Sequence, residues 1–153
     1  MSILLSLHVL AAVIWVGGMF FAYVVLRPNA ALLLEPPARL RLWAGCFQGF
    51  FIWVWLAVIA LPASGYWLMF RLFQSMGSSP LYVHLMHGLG LLMIALYLYL
   101  FFRPYPQLRA AVAAADWPAG GRHLAIIRHI VGTNLLLGLL TISIAAGGRW
   151  LLV

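Results

Sequence analysis

Four apolar runs dominate the chain, at about Ile3–Leu26, Gln48–Phe70, Leu81–Phe102 and Ile126–Ala146. Each is near or above the roughly 20 apolar residues that an α-helix needs to cross the hydrocarbon core of a bilayer. A soluble chain of 153 residues could not bury four such runs in one core. The pattern predicts an all-α membrane protein, a bundle of four transmembrane helices forming a single domain over residues 1–153. The stretches between them, 27–47 and 103–125, read as loops. Pro36-Pro37 breaks the first loop, and in the second Asp116 is placed to cap a helix that carries Pro118 in its first turn and runs on into the fourth span. Pro62 stands inside the second run, where it withdraws a backbone donor.

Charge adds orientation. All nine basic residues are Arg, against two acidic ones, Glu35 and Asp116. Arg27, Arg39, Arg41, Arg103, Arg109, Arg122 and Arg128 border one side of the spans, whereas only Arg71 and Arg149 border the other. The positive-inside rule then sets both termini outward and both long loops in the cytoplasm. No Lys or Arg precedes the first run, which is expected to be retained as a helix and not cleaved as a leader. The net charge of +7 is spent on topology; no basic patch on a soluble domain points to nucleic acid. The charged content of 7%, against about 25% in ordinary soluble proteins, leaves no acid–base pair for hydrolytic chemistry. A single cysteine, Cys46, supports neither an internal disulfide nor a CxxC motif.

A repeat links the two halves. His8 precedes Arg27-Pro28 by nineteen residues, and His84 precedes Arg103-Pro104 by the same nineteen. Trp43-Ala44-Gly45 follows the first Arg-Pro and Trp117-Pro118-Ala119-Gly120 the second. Spans one and two therefore read as a pair repeated in parallel as spans three and four. Nineteen helical residues rise about 28 Å, so His8 and His84 are expected at one depth, near the outer edge of the core. His87 lies three residues after His84, on the same face.

Ionisable groups inside a membrane are costly and mark function by default. One reading makes His8 and His84 the axial ligands of a b-type haem, with His87 as neighbour or substitute. Trp15, Gly18 and Gly88 would then lie along the ring, and Arg71, Arg149, Ser78, Ser79 and Tyr82 would be available to the propionates. The same His8, His84 and His87 could instead bind copper, with Met19 or Met86 near them. The bland alternative is that interfacial imidazoles bond to headgroups and that the glycines only pack helices. On the inner side, Arg128 and His129 offer contact to a quinone head or another anionic group, or snorkel to lipid phosphate. Asn134, Gly138, Thr141 and Ala145 form a weakly polar face on the fourth span, suited to helix–helix contact.

Leu7-His8-Val9-Leu10-Ala11-Ala12-Val13-Ile14-Trp15-Val16-Gly17-Gly18-Met19 resembles the first helix of the CopD (copper resistance D) family of bacterial inner-membrane proteins, and Asn134 to Thr141 resembles the last helix of its small members. That resemblance implies copper uptake or handling. His8, Trp15, Gly18 and Arg27 are also similar to the four-helix, haem-binding protoporphyrinogen oxidases of bacteria, which implies b-type haem. The leading expectation is a multi-pass protein of the bacterial inner membrane holding haem b, passing electrons from a membrane donor such as quinol to a periplasmic acceptor. Copper homeostasis through the same histidines is the alternative. A third reading is a non-catalytic subunit of a larger complex, or a homo-oligomer, using Trp53, Trp55 and Trp67 as lateral contacts.

Overall fold

The computed structural model describes residues 2–151 and, at the chain ends, the side chains of residues 3–148 only. The described residues are helical nearly throughout and contain no strand. Helix α1 covers Ser2–Phe20 and passes through a π-helical segment, Phe21–Leu26, into α2, Arg27–Leu33. Helix α3 is Pro36–Phe73, α4 is Leu81–Phe102, α5 is Pro104–Ala113 and α6 is Trp117–Leu151. Four spans are long and apolar enough to cross a membrane: Ile3–Leu33, Pro36–Phe73, Leu81–Ala113 and Trp117–Gly148.

The helices outrun the apolar runs. Residues 27–47 are not a loop: only Leu34 and Glu35 separate α2 from α3. Residues 103–125 hold α5 and the first two turns of α6. Hydropathy reports the thickness of hydrocarbon to be crossed, whereas a helix stops where its backbone is broken. Pro36 and Pro37 occupy the first turn of α3, where a missing N–H costs nothing. The Asp116 cap forms as its position suggests, the Ala119 N–H donating to Asp116 Oδ1 at 3.0 Å.

The two Arg-Pro steps differ in backbone. At Arg27 the helix continues, its N–H bonding to Ala22 O in the π pattern. At Arg103 it breaks, with φ −117° and ψ −81°, and Pro104 opens α5. The order of elements is nonetheless the same in both halves: a span, a short helix, then a long helix. Helix α1 packs chiefly on α3, and α4 and α5 pack chiefly on α6.

The core is concentrated on the side of the Arg-Pro steps. Leu40, Trp43, Phe47, Phe51 and Val54 recur at helical spacing along α3 and are buried. They meet Trp15 and Met19 of α1, Tyr97 and Leu100 of α4, Tyr105 and Leu108 of α5, and Ile127 of α6. Phe51 is the hub: it stacks on Phe47 at 5.3 Å and takes the edges of Tyr105 at 4.8 Å and Tyr97 at 5.5 Å. Offset and edge-on contacts of this kind add about 0.5–1.5 kcal/mol each beyond burial. Outward-facing Ile52, Trp53, Leu56, Ile59 and Trp67 remain exposed along α3, as a lipid-facing surface requires.

Candidate functional site

The opposite end of the bundle, where α1 starts, α3 ends and α4 starts, carries His8, His84 and His87. Its local chemistry is set by Pro62, Ser64, Gly65 and Tyr66 on α3. Pro62 has no N–H to give, so the Val58 carbonyl loses its ordinary helical donor. Two residues on, Ser64 folds its hydroxyl back along the helix, lying 2.5 Å from Ala60 O and 3.3 Å from Leu61 O. Ser64 is only 2% exposed, because α1 covers it.

His8 of α1 completes this arrangement. Its Nδ1 lies 2.9 Å from Ser64 Oγ. A serine hydroxyl has one proton, and that proton is directed at the α3 carbonyls. Ser64 Oγ therefore accepts, and His8 Nδ1–H donates. This assignment leaves Nε2 as the bare, lone-pair nitrogen of a neutral imidazole. Gly65 makes the approach possible: a Cβ there would stand 3.2 Å from His8 Cε1. The imidazole is thus seated against the Gly65 backbone, its tautomer fixed by one hydrogen bond. An imidazole whose other nitrogen is held in this way is the usual form of a metal-binding histidine.

The other candidates are placed differently. His87 of α4 is half-buried, and its Nε2 shares a hydrogen bond with the Tyr66 hydroxyl at 2.6 Å, the two rings meeting edge to face at 5.5 Å. His8 and His87 thus bond to different α3 residues, Ser64 and Tyr66, which stand two positions apart and on different faces of that helix. His84 is exposed. Among the described residues no group of three or more His, Cys, Asp or Glu side chains comes close enough to hold a metal ion, so the structure does not gather His8, His84 and His87 into one cluster.

Trp15 belongs to the core at 3% exposure, edge-on to Tyr97 at 6.1 Å. Gly18 takes the ring of Phe50, which leaves no room for a Cβ. Gly88 is exposed with open space beside it. Ser78 and Ser79 bond within their own turn, Ser78 to Phe73 O and Ser79 to Ser75 O, and Arg71 lies over Trp67 at 5.7 Å. The Arg149 side chain lies outside the described residues. Arg128 and His129 are both exposed on α6, while Arg41 covers the Trp117 ring at 5.3 Å.

Ser64, Gly65 and Tyr66 are what sequence reasoning missed. The available signal was a short polar and small segment just past Pro62, at the depth of His8 in an otherwise apolar run.

No curated protein and no solved structure matches the chain. The family model described as copper resistance protein D matches residues 44–147, from early in α3 into the last turns of α6. His84 and His87 lie inside the matched segment, and His8 with its Trp-x-Gly-Gly lies before it. The family's description speaks for copper and gives no support to the haem b and electron-transfer reading. With four membrane-spanning helices and a family match over most of its length, the chain is a multi-pass membrane protein that belongs to the CopD family.

Proposed function

We propose that the protein handles copper as cargo in the bacterial inner membrane, in the service of copper homeostasis, and that His8 Nε2 is its principal donor. The observation that carries this reading is the seat of His8, with Nδ1 tied to Ser64 and Nε2 left with its lone pair. A neutral imidazole suits copper well. Cuprous ion needs few donors, so one oriented histidine with a single further ligand is enough. His87 could supply that ligand if its bond to Tyr66 is exchanged, and the exposed His84 could deliver the metal from the surface. The Arg distribution supports a periplasmic position for this end of the bundle, with both termini outward. The bilayer is the surrounding partner, and a periplasmic copper donor or acceptor would meet this end.

The test is a Cu(I) competition titration, using a chromogenic chelator, of the purified protein and its His8→Ala variant in detergent. Binding by the wild type that His8→Ala loses is the expected result. Equal binding by both removes His8 from the site, and no binding by either rejects the copper reading.

A further inference from the structure

Two buried side-chain polar atoms lack a partner among the described residues, His123 Nδ1 and Asn134 Oδ1. Asn134 is the more deeply placed, 3% exposed and in the middle of α6. Its amide orientation is fixed because Nδ2 donates to Met93 O of α4 at 3.1 Å. Turning the amide over would set two oxygens against each other, so Oδ1 is the atom left to be satisfied. A buried amide oxygen without a donor costs about 1–3 kcal/mol.

Asn134 lines a cavity of about 30 Å³ to which every span contributes: Trp15 and Met19 from α1, Phe51 from α3, Tyr97 from α4 and Val131 from α6. A single water requires on the order of 10–15 Å³ on this measure, together with polar partners. Tyr97 lines the same cavity, and its hydroxyl proton is directed at Phe51 O at 3.3 Å. That leaves the Tyr97 oxygen free to accept.

We infer that the centre of the bundle is a binding site for one water molecule, which donates to Asn134 Oδ1 and to the Tyr97 oxygen. The site adds a second polar link between α6 and α4, beside the Asn134–Met93 hydrogen bond, in the middle of the apolar core. It is independent of His8, and its ligand is a neutral hydrogen-bond donor. The full chain in a lipid nanodisc, solved at a resolution that shows ordered water, should carry a density peak within hydrogen-bond distance of both oxygens. A side chain or acyl tail in that volume, or no density there, overturns the inference.

Thermal unfolding supplies a second readout. Val131→Ile adds a methyl group to the cavity lining and should displace the water, so it lowers Tm in the wild-type background. In an Asn134→Leu background, where no acceptor remains, the same change should leave Tm unchanged or raise it. An equal increase in both backgrounds would mean that the cavity holds no water.

Discussion

Ser64→Ala is the sharpest probe of how the protein prepares its histidine. The substitution deletes the hydroxyl oxygen of a buried residue yet leaves the α3 backbone intact, because Ala60 and Leu61 O keep their helical N–H donors. What disappears is the acceptor that holds His8 Nδ1–H at 2.9 Å. The direct stability cost should be modest, about 1 kcal/mol for one hydrogen bond. The effect on the metal should be larger. Without Ser64 the ring can flip and exchange tautomers, so Nε2 is no longer the nitrogen always presented, and the imidazole loses the partner that raises its basicity. Loss of such a supporting partner lowers metal affinity 10–100-fold, or about 1.4–2.8 kcal/mol. Cu(I) competition on wild type, Ser64→Ala and His8→Ala should therefore give a graded series, with Ser64→Thr, which retains a hydroxyl, close to wild type. Wild-type affinity in Ser64→Ala alongside loss in His8→Ala would refute the claim that Ser64 prepares the ligand.

Three further outcomes follow from the same structure. Gly138→Ala should destabilise the bundle, since its Cβ would stand 2.8 Å from Val16 Cγ2 and 3.2 Å from Met93 Cε; overpacking of about 1–3 kcal/mol exceeds the helix-propensity gain of about 1 kcal/mol, whereas Gly17→Ala, with nothing near it, should be neutral or slightly stabilising, and equal melting temperatures would contradict this. Optical spectra of the purified protein, oxidised and dithionite-reduced, should show no Soret band when haem supply is ample; a band abolished by His8→Ala would reinstate haem at this histidine. A C-terminal alkaline phosphatase fusion should be active and a C-terminal fluorescent-protein fusion dark, as seven Arg on one side against two on the other require; the reverse pattern would invert the orientation and put His8 on the cytoplasmic side.

The existence and number of the spans were legible because hydropathy is a sum over about 20 residues and tolerates local error. Helix ends were less so. The Asp116 cap was readable, being a local contact between residues three apart. The continuation of helix through 36–47 was not, because Arg39 and Arg41 look like loop residues in a hydropathy profile yet sit comfortably on a helix outside the hydrocarbon. His8 was readable as a costly residue in an apolar run, but its meaning depended on Ser64, fifty-six positions away. No local pattern announces such a pairing; it exists because α1 lies against α3. Gly18 shows the opposite limit. A small residue on a span signals close approach, but the approaching group was the Phe50 ring, and only the fold could identify it.

The π-helical segment at Phe21–Leu26 has an evolutionary reading. An extra residue in an ordinary helix rotates everything beyond it by about 100°, which would carry Arg27 and α2 off their face. A π turn absorbs such a residue locally. Here it leaves Tyr23 against Gly132 of α6 and Arg27 stacked over the Tyr23 ring at 4.8 Å. The second half has no equivalent and breaks at Arg103 instead. This short stretch is therefore where the first span can take up a residue while His8 keeps Ser64 at one end and Arg27 keeps Tyr23 at the other.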